Sequence, residues 1–560
     1  MGFWEKSRRI FKCLCEHGCQ SVRRLAHQTG LSKSSVHRLT QAMDRRNRHP
    51  ESWLWETEDG RQWLIRLVVA TLYTFGLKRG VGLDTLSEFF TRLHLETQVG
   101  CSPSALRGVM HAVEAALLET AEAWEHEACA GAEVREIIGA VDETFLEQML
   151  LVLMDLRTGY VLLEAVAEDR TSTTWKAGVE ARLTALGTTV RYLVSDRAKA
   201  LIQLAEQGLE CLSMPDFFHC MHDLVKGSAL SLARHVRQAR QELTKAEEVL
   251  RQPRGPEGLL PGDAEAQQHV ERTRATVQRW EGVQSTYRHH LETLSLTLHP
   301  FHLHDASPRT SLQVHSQLHD EVTALEMLAR DHQFPIPHDM LKKVRYQLPA
   351  LAALVDFWWA GVDRDLEQAA ISAPWRQWAP ECLLPWVYWE HQVTRTRCVR
   401  RKAKLQRAWA EARSAFDKHV ITKQLPPQGL AEWQAWAMEQ VTAFQRASSA
   451  VEGRNGALAQ LQHNQRGLPK QRYKVWTILH NFDCHAPDGT TPAVRFFRRP
   501  FPDLFDTVFS RMGALPQRGE NAKLLYGIEV SRCPALSGYP LQPMCSAIQR
   551  ISICPCRASG

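Results

Sequence analysis

The spacing of apolar positions changes character several times along the chain. Between Ser21 and Met43, Ala26, Gly30 and Val36 stand at offsets zero, four and ten, with Leu25, Leu31 and Leu39 behind them. Those are the places where two helices touch, turn and touch again, so the pattern predicts a helix-turn-helix. Ser32 is a good cap for its second helix, which then exposes Lys33, Ser34, Ser35, His37 and Arg38 as the set expected to meet DNA. Directly after it, Asp59-Gly60 predicts a hairpin, a wing on that domain packed down by Trp53, Trp55 and Trp63. Residues 82–127 read as wholly helical. They form either a linker bundle or a second helix-turn-helix with Gly100 in its turn and Ser102-Pro103 opening the next helix.

From Arg135 the period shortens. "REIIGAVD", "QMLLVLMD" and "YVLLEAVA" are apolar runs of strand character. A helix ("TTWKAGVEARLTALG"), the strand "RYLVSD", a second helix and the short strand "LECLSM" follow. The order βββαβαβ is that of an RNase H-like fold, a mixed five-stranded sheet within the α/β class. Its first three strands make an antiparallel meander, and its fourth crosses back to lie parallel beside the first. Asp142 and Asp196 then end neighbouring parallel strands at the edge where the strand order reverses and ligands bind. Their carboxylates are expected to lie close enough to share metal ions.

Helical spacing returns at about Gly227 and lasts to Phe444. Leu232, Val236, Ala239, Leu243, Ala246 and Leu250 alternate steps of four and three, as do Val270, Thr273, Val277, Trp280, Gln284, Tyr287, Leu291, Leu294 and Leu298. The two runs flank the loop "QPRGPEGLLPG" and predict an antiparallel helical hairpin. The tryptophans that follow read as core. The run "TRTRCVRRKAKLQR" offers Arg400, Arg401 and Lys404 either to solvent or to phosphates. Six segments result: a winged DNA-binding domain at 1–70, a helical linker at 71–132, the first part of the sheet domain at 133–226, an all-helical insertion at 227–444, a C-terminal helical part of the core at 445–515, and an irregular tail at 516–560.

Composition refines this picture only slightly. The 560 residues carry a net charge of +6, too little to mark a partner by itself, and 14 cysteines do not make a disulfide scaffold in so long a chain. Cys13, Cys15 and Cys19 in "CLCEHGC" could hold zinc, but the segment reads as a helix and ordinary packing is favoured. No apolar run is long enough for a membrane span and none resembles a signal peptide, so the expected place is the cytoplasm.

A third carboxylate is needed beside Asp142 and Asp196 to hold two divalent ions about 4 Å apart. In "SSAVEGRNGALAQLQHNQRG" a helix would put Glu452, Asn455, Ala459, Gln462 and Arg466 on one face, with Arg466 near a phosphate. Asp216 and His219, after the fifth strand, are placed at the same edge of the sheet, to assist metal or water positioning and to contact the scissile phosphate, or simply as a helix cap and a satisfied histidine. Glu143 points to the other side.

The ordered set "VDET", "VSDRAKAL", "PDFFHCMHDLV" and "SSAVEGRNGALAQLQHNQRG" resembles bacterial insertion-sequence transposases of the DDE class. The last block is similar to a Ser-Asn-Gly-x-x-Glu-Gly-x-Asn signature, opening here as Ser448-Ser449-Ala450. The resemblance implies a catalytic triad of Asp142, Asp196 and Glu452 binding two Mg²⁺ or Mn²⁺ ions, and strand cleavage followed by 3′-end transfer without a nucleotide cofactor. It implies double-stranded DNA as partner, both element ends and target, with Arg454 joining Arg466 among the DNA contacts, and at least a homodimer to pair two ends. A DNA-binding regulator or domesticated transposase with an inactive site, and an RNase H-like nuclease, are the competing readings.

Overall fold

The computed structural model describes residues 3–18, 20–49, 51, 54–55, 58–251, 262–464 and 470–512. Helices α1 (Phe3–His17), α2 (Val22–Thr29) and α3 (Lys33–Arg48) come first. Ile10, Leu25, Ala26, Val36 and Leu39 are buried where these three meet. The turn between α2 and α3 needs a residue in the left-handed region, and Gly30 supplies it at φ 67°. Ser32 Oγ then accepts the Ser35 amide at 3.2 Å and caps α3.

The expected wing is absent: residues Glu58–Thr71 form helix α4, which runs straight through Asp59-Gly60. Leu64, Val68, Val69 and Leu72 recur at helical spacing and are all buried. Burying each is worth about 1.5–3 kcal/mol, against about 1 kcal/mol for a glycine in a helix, so the long-period signal outweighs the local turn signal. Trp63 packs nothing down. It is 56% exposed and stacks on Trp55 with ring centroids 5.5 Å apart, while Trp53 lies outside the described residues. Helices α5 (Leu83–Arg92) and α6 (Pro103–Cys129) complete this region, with Ser102 Oγ accepting the Ala105 amide to cap α6.

The sheet follows: β1 (Arg135–Leu146), β2 (Gln148–Asp155), β3 (Val161–Ala167), β4 (Thr188–Ser195) and β5 (Leu212–Pro215), in the spatial order β3-β2-β1-β4-β5. β1–β2 and β2–β3 are antiparallel, whereas β4 pairs parallel with both β1 and β5. Helix α7 (Ser172–Leu186) connects β3 to β4, and α8 (Lys199–Gln203) leads towards β5. The result is a mixed sheet in a mostly helical chain.

Alternate residues of the strands feed different cores. Ile138, Ala140, Val152, Met154, Tyr192 and Val194 join one buried cluster with the helices that follow residue 217. Ile137, Val141, Leu151, Leu153 and Leu193 join another with residues of α6 and α7, among them Trp124 and Trp175. Successive side chains on a strand point to opposite faces, which divides these residues between the two cores, although Leu150 with Leu151 and Leu162 with Leu163 both join the second cluster.

On the first face α9 (Phe217–Val225) leads into α10 (Ser228–Arg251) and α11 (Gly262–Thr297). Ser228 Oγ meets Tyr287 Oη at 2.7 Å, and Arg274 pairs with Glu247 at 3.2 Å. As one helix climbs in number its partner descends, which makes the pair antiparallel as its apolar spacing indicated. Helices α12 (Ser311–Asp331), α13 (His338–Gln368), α14 (Ala373–Trp378), α15 (Leu384–Arg395), α16 (Val399–Lys418), α17 (Val420–Gln424) and α18 (Pro427–Thr442) extend this layer. Trp358, Trp378, Trp386 and Trp389 are buried in it, as core rather than as a stacking platform.

The chain then returns to the sheet through α19 (Ser449–Asn464) and α20 (Lys470–Asp483), ending in α21 (Pro492–Phe497) and α22 (Leu504–Arg511). The tail expected at 516–560 lies outside the described residues. Among those described, no helix is long and apolar enough to cross a membrane.

Candidate active site

Register brings the strand ends together. Ala140 of β1 sits beside Val194 of β4 in the parallel ladder, so Asp142, two residues on, and Asp196, just past β4, leave adjacent strands on the same face. Asp142 is still in β1, paired with Val152 of β2. Asp196 turns its Oδ1 back to accept the Ala198 amide at 2.8 Å.

Helix α19 crosses this edge. Val451 and Leu458 are buried on its inner side, and Glu452 and Asn455, three apart, share the side facing Asp142. Asn455 donates from Nδ2 to Asp142 Oδ2 at 2.8 Å. Ligand atoms of Asp142, His219 and Glu452 lie within 4.8 Å of one another. Asp196 is not part of that cluster, although its charge is felt by Asp142.

His219 is aimed by a buried carboxylate. Asp216 caps α9, its Oδ1 accepting the amides of Phe218 at 2.9 Å and Ser448 at 3.0 Å. Asp216 Oδ2 accepts the Ser448 hydroxyl and, at 2.5 Å, the Nδ1–H of His219. Nε2 of His219 then stands 3.5 Å from Glu452 Oε1. Asp216 therefore reaches the cluster only through His219. Ser448, eight positions before Gly456, binds it because the chain segment ahead of α19 runs beside the start of α9. That link joins residues 232 positions apart, which no periodicity signals.

Electrostatics sharpen the cluster. Burial, and then the charge of Glu452, pushes the Asp142 carboxyl up to about 7. The Asp216 hydrogen bond outweighs burial and pushes His219 up to about 9. Burial would raise Asp216 itself, but the bonds from His219 and Ser448 prevail and hold it below the usual carboxylate range. Two crowded carboxylates beside one imidazole suit a hard divalent cation. Asn455, whose Nδ2 holds Asp142, keeps its Oδ1 buried with no hydrogen-bond partner among the described residues. The donor set fits such an ion.

Other expected contacts are distributed differently. Glu143 faces away, bound by Arg170 at 2.9 Å and by the Trp175 indole at 3.4 Å. Arg454 is not available to DNA. It is buried and makes a two-pronged pair with Glu164 of β3, at 3.0 and 2.7 Å. Its place one residue from Asn455 turns it towards the sheet instead of outwards. Arg466 lies outside the described residues, as does Cys19. Cys13 is partly buried against the α1–α3 core, consistent with packing, and Cys15 is exposed.

On α3, Lys33, Ser34, His37 and Arg38 are exposed and Ser35 is half-buried. On α16, Arg400 and Arg401 are exposed, while Lys404 is engaged with Glu292 at 3.3 Å.

An N-terminal helix-turn-helix with a free polar face on its second helix belongs to the DNA-binding class of such domains. Residues 5–47 match the IclR helix-turn-helix domain. Residues 380–523 match a family of unknown function, DUF6399. No curated protein matches the chain. Glu452 and His219 thus part company: α19 falls inside the second match, whereas the sheet with Asp142 and Asp196, and α9, fall outside both.

Proposed function

We propose that the chain is a DNA transposase of the DDE class, cutting and rejoining DNA at a site built on an RNase H-like sheet. The observation that carries the reading is the convergence of Asp142, Glu452 and His219 at the carboxyl edge of a β3-β2-β1-β4-β5 sheet. It occurs in a chain that also bears a helix-turn-helix. Asp142 and Glu452 would hold one Mg²⁺ or Mn²⁺ ion, with Asp196 available to a second. Such ions make a bound water nucleophilic and neutralise charge at the phosphate.

The chain's own groups supply the rest. Asn455 fixes the orientation of the Asp142 carboxylate. His219, held by Asp216, presents Nε2 beside Glu452, where its charged form attracts a phosphate. Lys33 and Arg38 on α3 read the element ends, and the Arg400–Arg401 face of α16 meets the backbone. Pairing two ends requires at least two copies of the chain.

The position of Asp196 outside the tight cluster favours one competing reading, a DNA-binding regulator descended from such an enzyme. The test uses the DNA flanking the gene, searched for inverted repeats and labelled at their tips. Mg²⁺- or Mn²⁺-dependent cutting, reduced at least about 100-fold by Asp142→Asn, is the expected result. Tight binding of the repeats without cutting would select the regulator, and cutting without end joining the nuclease.

A further inference from the structure

A second cluster lies away from the sheet, at the far end of α3. His49 follows the last residue of that helix, Glu51 comes two residues later, and His94 precedes the short 3₁₀ turn Leu95–Thr97. Their ligand atoms lie within 4.8 Å of one another. His49 Nδ1 is 3.4 Å from Glu51 Oε1, and the two imidazoles stack with centroids 3.7 Å apart and 17° between planes. His94 holds the left-handed conformation, φ 55° and ψ 29°, which histidine tolerates better than most residues. The next residue, Leu95, is buried and pins this turn to the linker helices.

We infer that His49, Glu51 and His94 form a binding site for a single transition-metal ion of the Zn²⁺ type. Two imidazole nitrogens and one carboxylate oxygen, with the outer side open to water, are the donor set of a tetrahedral ion with one solvent position. Nitrogen donors separate it from the oxygen-rich cluster at the sheet, which suits Mg²⁺ or Mn²⁺. The ligands come from two parts of the chain: the trailing end of α3, and the turn after α5. An ion there ties the DNA-reading helix to the linker bundle by bonds instead of by surface contact. Metal supply then sets how firmly α3 is held.

The test is calorimetric titration of the full chain with Zn²⁺, alongside His94→Asn and His49→Gln. Asparagine accepts the left-handed backbone, so His94→Asn removes the imidazole without straining the turn. Unchanged circular dichroism of the metal-free variants checks that they fold. Each variant should lose one equivalent of Zn²⁺, or bind it at least about tenfold more weakly. In the wild type Zn²⁺ should slow amide exchange over residues 41–49 and 92–97, and should fail to do so in His94→Asn. Zn²⁺ uptake and exchange that are identical in wild type and variants would overturn the inference. So would a Co²⁺ complex whose thiolate absorption persists in His94→Asn at unchanged stoichiometry, since the ion would then sit on cysteine.

Discussion

Arg454 and Glu452 stand two residues apart on α19 yet answer to opposite demands. Arg454 neutralises Glu164, which is buried beside β2 and whose carboxylate also accepts the Thr477 hydroxyl at 2.6 Å. Cutting one partner from a buried pair leaves an uncompensated charge, which costs about 3–5 kcal/mol. Arg454→Met should therefore lower the unfolding free energy by about 3–5 kcal/mol, while the folded fraction keeps its affinity for DNA. Loss of DNA affinity without loss of stability would return Arg454 to the DNA surface. Asp142→Asn should do the reverse. It removes a charge that burial and Glu452 both oppose, so with chelator present the variant should melt no lower than wild type, although the proposed cleavage should be lost. A variant that melts well below wild type would show that the carboxylate is a structural group.

At the scale of the element, α3 is the part whose surface can be altered without disturbing its packing. Lys33 and Arg38 are exposed, whereas Val36 and Leu39 carry the core. Lys33→Ala with Arg38→Ala should weaken binding to the repeats at least about tenfold and flatten its salt dependence by up to two phosphate contacts. The melting curve should not move. Equal affinity before and after would remove α3 from the interface.

The same scale shows what could be read along the chain. The strands were legible because continuous apolar runs of six to eight residues have few other uses, and the end of β4 placed Asp196. β1 does not end at Asp142 as its apolar run suggests but continues to Leu146, because its polar residues stay paired with β2. The helix-turn-helix was legible from three offsets. The wing was misread because Asp59-Gly60 is a strong local turn signal, and only the burial of Leu64, Val68 and Val69 shows that the longer period prevails. Asn455 against Asp142, Ser448 against Asp216, and His49 against His94 were out of reach for a common reason. Each joins residues far apart in sequence, and the folding of the intervening chain alone decides that they meet.

At the scale of the whole molecule, several imidazoles are buried where a proton is unwelcome. Burial, and then the neighbouring Arg454, pulls His480 down to about 4. Burial, and then Arg395, does the same to His391, and His299 is pushed well below its ordinary value by burial and by Arg446. Between about pH 6.5 and pH 4 the unfolded chain takes up protons at these positions and the folded chain does not. The stability these three histidines contribute therefore falls as pH falls through that window. Urea midpoints at pH 7.5 and pH 5 should differ in that direction, and His480→Gln, which can still donate to the Gly159 carbonyl reached by Nε2 at 2.9 Å, should reduce the difference. Asp142 and His219, both pushed up, act in the opposite sense as pH falls, so the deciding comparison is between wild type and variant. A pH difference unchanged in His480→Gln would mean that His480 takes up its proton without unfolding the protein.

The long helical layer between α9 and α19 has a further consequence, in time. Glu452 leaves the ribosome 310 positions after Asp142 (452 minus 142). At ordinary elongation rates that gap lasts roughly 15–60 s. Once β5 has followed, at residue 215, the nascent chain has its N-terminal helix-turn-helix and all five strands, but not the residue that closes the carboxylate cluster. A polypeptide still tethered to its message can therefore search DNA before its site is complete. On the proposed function, any pause or truncation within the layer would yield a protein that holds DNA without the means to cut it.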